Sequence, residues 1–225
     1  MAKTDLIRKE KVRAMRRAGH SINEIVEATG TNKTTVSVWL RDLPLTDEQR
    51  AALARENPRW ANAYQGGQAN RRKGLTARKA AQESGREQAR LADLLHRKGC
   101  ILYWAEGAKQ KSAVHIINSD PDVVLFFTRF LRDALHVKSE AITIYVHCNT
   151  QDELEHTRIK QYWLGLLDLP DLCFKKIILK QGSKFTHTQD DVGLCTVMVR
   201  NTHLVMHIFG AIQEYTGIDN PAWLF

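Results

Sequence analysis

Thr34, Thr35, Ser37 and Val38 fall within five consecutive residues. Presented by a helix, their hydroxyls can exchange hydrogen bonds with the polar edges of bases, and the Thr and Val methyl groups can touch the methyl of thymine. Lys33 precedes them and suits a phosphate rather than a base. A second set is cationic. Arg71, Arg72 and Lys73 are contiguous, while Lys175, Lys176, Lys180 and Lys184 flank a stretch that reads as a strand. Both groups can meet phosphate oxygens, with an ordinary solvated edge as the competing reading for the second.

Positioning the hydroxyl set requires a short, well-capped helix. Residues 5 to 18 place Leu6, Ile7, Val12 and Met15 on one broken apolar face, which predicts a surface-packed helix stopped by Gly19. Ser21 with Glu24 three residues later has capping-box spacing, predicting a helix through Thr29 with Ile22, Ile25 and Val26 inward. Gly30 breaks the chain, and Thr31 or Asn32 can cap a further helix to about Arg41 that turns Val36, Trp39 and Leu40 inward. A short helix, a tight turn and a second short helix predict a helix-turn-helix whose second helix enters the DNA major groove. The bland alternative is a pair of capped amphipathic helices.

Net charge sharpens this expectation. The total is +8, but residues 1–57 carry +3, residues 58–90 carry +6 and residues 91–225 carry −1. A localised basic segment suits a polyanion, because it attracts phosphate and releases counterions on binding. After Pro44, Thr46 opens another helical stretch supported by Leu45, Ala51, Ala52 and Leu53; Pro58, Gly66, Gly67 and Gly74 then interrupt the pattern. The expected organisation is a helix-turn-helix domain over 1–58, a basic helical linker over 59–90 and a second domain over 91–225. The linker is expected to act as a phosphate-tracking arm that becomes more ordered on DNA, along or into the minor groove. A solvated helix is its alternative.

In the second domain, residues 94–108 read as a helix ending near Gly107, 113–117 as a strand, and Asn118-Ser119-Asp120-Pro121 as the entry to a helix reaching Ala134. Residues 141–147 read as a strand, 152–167 as a helix, 172–180 and 194–200 as strands, and the segment after Asn201 as a final helix. The fold class is therefore α+β, with the all-helical first domain and basic linker preceding a mixed α/β domain.

Nearly the whole chain resembles a family of actinobacterial and phage proteins that join a helix-turn-helix to a domain related to LAGLIDADG homing endonucleases. The resemblance lies in residues 31–46, in Gly99-Cys100-Ile101-Leu102-Tyr103-Trp104-Ala105-Glu106-Gly107-Ala108-Lys109, in Asn118-Ser119-Asp120-Pro121 and in Gly210-Ala211-Ile212-Gln213-Glu214-Tyr215-Thr216-Gly217. It implies that a curved sheet of the second domain also faces DNA. The chain is further similar to immunity repressors of temperate actinobacterial phages, which implies occupancy of operators and of dispersed transcription-stopping sites.

Glu106 falls where cleaving relatives place an acidic metal ligand, which would support a Mg²⁺-dependent endonuclease. One acid and one copy of the helix do not complete a two-metal site, so helix packing or a polar network is the preferred role and the chain is expected not to be an enzyme. His96, His115, His147, His156, His187, His203 and His207 form no zinc motif; Asp190 and Asp191 read as turn residues. Cys100, Cys148, Cys173 and Cys195 have no paired spacing and are expected as buried free thiols. No apolar run suggests a transmembrane helix, and residues 1–11 lack a signal core, so the expectation is a cytoplasmic, DNA-associated protein without cofactor or membrane partner. Its partner is expected to be double-stranded DNA with an asymmetric operator. Self-association through the second domain is left open.

Overall fold

Capping chemistry and apolar spacing produce most of the elements. The computed structural model describes residues 3–179 and 192–224. Lys180, Lys184, His187, Asp190 and Asp191 lie outside them. The chain divides into two compact units, Met1–Lys73 and Gly74–Phe225. The first is helical and the second is a mixed α/β unit built on an open four-stranded sheet.

The helical unit starts with α1 (Lys3–Arg17), α2 (Ile22–Thr29) and α3 (Lys33–Trp39). Gly19 ends the first excursion at φ +97°, a left-handed conformation in which a Cβ would be strained. Ser21 and Glu24 form the reciprocal cap of α2: the Ser21 N–H donates to Glu24 Oε2 at 2.6 Å and the Glu24 N–H to Ser21 Oγ at 3.3 Å. Val12, Ile25, Val36 and Leu40 close a small core, with Met15, Ile22, Val26, Trp39 and Leu43 packed around it. The next helix, α4 (Asp47–Glu56), has a second reciprocal cap between Thr46 and Gln49. Gln49 also donates to the Arg17 carbonyl at 2.8 Å, fastening α4 to the end of α1.

Helix α5 (Pro58–Arg90) runs unbroken for 33 residues and includes the boundary between the units. Pro58, Gly66, Gly67 and Gly74, read from the sequence as interruptions, do not interrupt it. Pro58 sits at the first helical position, where no intrahelical N–H partner is required, and the Ala-rich remainder offsets these three glycines and Gly85, at about 1 kcal/mol each.

The α/β unit continues with α6 (Leu94–Glu106), β1 (Val114–Asn118), α7 (Pro121–Arg129), β2 (Thr143–Cys148), α8 (Glu153–Leu167), β3 (Phe174–Leu179), β4 (Leu194–Val199) and α9 (Thr202–Thr216). Asp93, Asp120, Asp152 and Asn201 cap α6, α7, α8 and α9. Beyond α7, residues 130–134 widen into a π-type turn, where the Leu135 N–H bonds to the Phe130 carbonyl. The sheet order is β1-β4-β2-β3. Pairs β1–β4 and β4–β2 are antiparallel; β2–β3 is parallel and is connected through α8.

The core takes Val114, Ile116, Ile144, Val146, Cys148, Cys195, Val197 and Val199 from one face of the sheet and joins them to Tyr103, Phe127, Phe130, Trp163 and Phe209 from the helices. Two helices meet there at glycine. A Cβ on Gly85 of α5 would lie 1.9 Å from the His207 carbonyl oxygen of α9, and one on Gly210 of α9 would lie 2.0 Å from the Gln82 carbonyl oxygen. The backbones therefore touch without side chains between them. All four cysteines are free and buried. No helix among the described residues is long and apolar enough to cross a membrane.

Candidate nucleic-acid interface

The turn between α2 and α3 decides which way α3 faces. Gly30 caps α2 in the left-handed region at φ +62°, and Asn32 Oδ1 then accepts the Thr34 N–H at 2.9 Å to start α3. Of the two cap candidates in the sequence, Asn32 performs the role and Thr31 is buried. Val36 is wholly buried, so the opposite side of the helix faces outward. Lys33, Thr34, Ser37 and Val38 are exposed, whereas Thr35 is half-buried on the flank. Trp39 packs against the small core rather than standing free as a stacking platform.

Arg13 holds the far end of α3. Its guanidinium donates to both carboxylate oxygens of Asp42 at 2.8 and 2.9 Å and to the Trp39 carbonyl at 3.0 Å. The Arg13 hydrogen bond lowers the Asp42 pKa to about 2. Nothing in local sequence spacing announces this bracket, since Arg13 lies 26 and 29 residues from its two partners.

The basic segment separates into two kinds of cation. Arg86 and Arg90 are committed within the α/β unit: Arg86 meets Glu83 and Gln213, and Arg90 meets Glu83 and Glu214. Arg71, Arg72 and Lys73 are exposed and form no ion pair among the described residues. They stand on a formed helix, about 10 Å across with its side chains, which does not fit a minor groove about 6 Å wide. Passage of this segment into the minor groove is therefore at odds with its conformation, while side-chain contact with phosphates along a groove edge is compatible with it.

The second face of the sheet carries the residues that alternate with the core set. His115 pairs with Met198, which also pairs with Thr143; Ile117 pairs with Thr196, which also pairs with Tyr145; and Tyr145 pairs with Lys176 on β3. Ile117 and Lys176 are exposed, and Tyr145 is half-buried. Two buried polar atoms on this face, His115 Nδ1 and Thr196 Oγ1, have no hydrogen-bond partner among the described residues. Burial lowers the His115 pKa. Such atoms carry an unrecovered desolvation cost that a bound donor, acceptor or water would offset. Lys175 is exposed at the edge strand and donates to the Leu172 carbonyl at 2.8 Å.

Glu106 is exposed at the end of α6, and no group of three His, Cys, Asp or Glu residues is placed to hold a metal among the described residues. His203 and His207, four residues apart on α9, do not act together. His203 is exposed, while His207 Nε2 lies 3.1 Å from His96 Nε2, and the chain extends to Tyr215 Oη, 2.7 Å from His96 Nδ1, and to Ser84 Oγ, 3.4 Å from His207 Nδ1. Burial, reinforced by the neighbouring His96, lowers the His207 pKa to about 4; burial also lowers that of His96. This neutral pair joins α5, α6 and α9. Its long-range partners leave no mark in local sequence. No protein-family model, curated protein or solved structure matches the chain.

Proposed function

We propose that this protein binds double-stranded DNA sequence-specifically and represses transcription by occupying its site, with α2, the Gly30 turn and α3 acting as a helix-turn-helix. The observation that carries the reading is the rotation of α3. Val36 and Leu40 anchor it inward while Lys33, Thr34, Ser37 and Val38 are held outward on a rigid, doubly capped helix pair. Exposed Arg71, Arg72 and Lys73 supply sequence-independent attraction to phosphate. The second sheet face, with Tyr145, Lys176, His115 and Thr196, is assigned a further DNA contact, in keeping with the resemblance to the LAGLIDADG-type domain and to phage immunity repressors.

Selection of duplexes from a random pool tests the reading. The expected result is one enriched site, with Thr34→Ala and Ser37→Ala blurring its base preference more than they weaken non-specific binding. Replacing Arg71 and Arg72 with Gln should weaken all duplexes together and reduce the salt slope by about 0.9 per lost phosphate contact. Cutting of the selected duplex in Mg²⁺ or Mn²⁺, abolished by Glu106→Gln, would overturn the non-catalytic part of the proposal.

A further inference from the structure

Val38 is a branched apolar side chain left 53% exposed on a helix whose other valine is completely buried. It is absent from the small core and from the ring of residues packed against that core. Thr34 stands one turn earlier on the same outward face, so its methyl and the two methyls of Val38 form a small apolar strip opposite Val36.

The rest of α3 offers little else that discriminates bases. From Lys33 to Trp39 there is no Arg, Asn, Gln, Asp or Glu. The side chains that pair bidentately with adenine, or accept from the cytosine amino group, are therefore missing, and the one cation sits at the first helical position. The nearest amide, Asn32, has its oxygen engaged as the helix cap. The hydroxyls of Thr34 and Ser37 can donate or accept and are satisfied by several base edges. A methyl group is different: in the major groove it distinguishes thymine from the other three bases.

We infer that Val38 and the Thr34 methyl read thymine C5-methyl groups, so that apolar contact adds a thymine preference to what the Thr34 and Ser37 hydroxyls select. The inference rests on α3 entering the major groove as proposed above. It predicts thymine at one or two positions of the α3 half of the site, and a dependence on the thymine methyl itself.

The experiment uses the full-length protein and the duplex enriched from the random pool, with each thymine replaced in turn by deoxyuracil, which alters nothing but the methyl. Uracil at one or two positions is expected to weaken binding roughly four-fold each, the value of one buried methyl-sized group. Val38→Ala should weaken the thymine duplex by a similar factor while losing most of the discrimination between thymine and uracil at one of those positions. Thr34→Ser, which keeps the hydroxyl, should do the same at the other. A preferred duplex insensitive to uracil at every position, or a Val38→Ala protein whose discrimination is intact, would overturn the methyl contact and leave sequence-specific binding standing. A pool that returns no preferred duplex would overturn the proposed function and this inference together.

Discussion

Asn32 and Thr34 stand two residues apart at the start of α3 but differ in what they do. The Asn32 side chain satisfies a backbone N–H that α3 would otherwise leave unpaired, whereas the Thr34 side chain is exposed and borders no core residue set. Asn32→Ala is therefore expected to destabilise the helical unit by about 1 kcal/mol, and Thr34→Ser to leave its stability nearly unchanged. Chemical denaturation followed by far-ultraviolet circular dichroism separates the two; equal destabilisation would contradict the placement of the cap. The same distinction explains which residues could be read in advance. Ser21, Glu24, Gly30 and Asn32 act on backbone groups two to four positions away, so their roles are written in spacing. Arg13 acts on Trp39 and Asp42, and such a partnership exists only once α1 and α3 have packed.

Elements show the same division between local and tertiary causes. The alternation of helices and strands through the α/β unit follows from apolar period and caps, and the sequence order agrees with the observed one. The continuity of α5 was hidden because glycine is a weak signal: it penalises helix without forbidding it. Its positions now separate by environment. Gly66 is exposed with nothing near a prospective Cβ, so Gly66→Ala should stabilise by about 0.5–1 kcal/mol. Gly85→Ala and Gly210→Ala drive a methyl into a facing backbone and should destabilise by roughly 1–3 kcal/mol or more. Opposite signs in urea denaturation are the expected outcome, and stabilisation by Gly85→Ala would disprove the close crossing. The imidazole chain joining α5, α6 and α9 makes a further prediction. Its folded-state pKa values lie below the ordinary histidine value, so the unfolded chain binds more protons as pH drops. The associated stability is fully present above about pH 6.5 and is lost as pH falls toward about 4, on the order of 3 kcal/mol for His207 alone. Urea midpoints followed by far-ultraviolet circular dichroism should fall across that window and fall less in His207→Gln; a flat wild-type profile would exclude the linkage.

Across the whole molecule, the two cores share no residue, and they differ greatly in size. If each unit supplies its own reading surface, one chain should protect an asymmetric DNA site longer than a single helix can cover. Hydroxyl-radical footprinting of the full-length protein, beside variants altered at Thr34 and Ser37 or at Tyr145 and Lys176, is expected to erode opposite ends of the protected region. Protection lost uniformly in both cases would argue against two contacts. The sheet order has a different consequence, one that belongs to the ribosome. β4 lies between β1 and β2, yet it is the last strand to be made. When β2 has been synthesised, its antiparallel partner is still about 50 residues from completion, a wait of roughly 3–10 s at ordinary elongation rates. Throughout that interval β1 and β2 carry open edges with apolar faces, and α9, which completes their cover, has not been synthesised. Nascent chains halted between β3 and β4 should therefore engage holding chaperones, and chains released past α9 should let go of them.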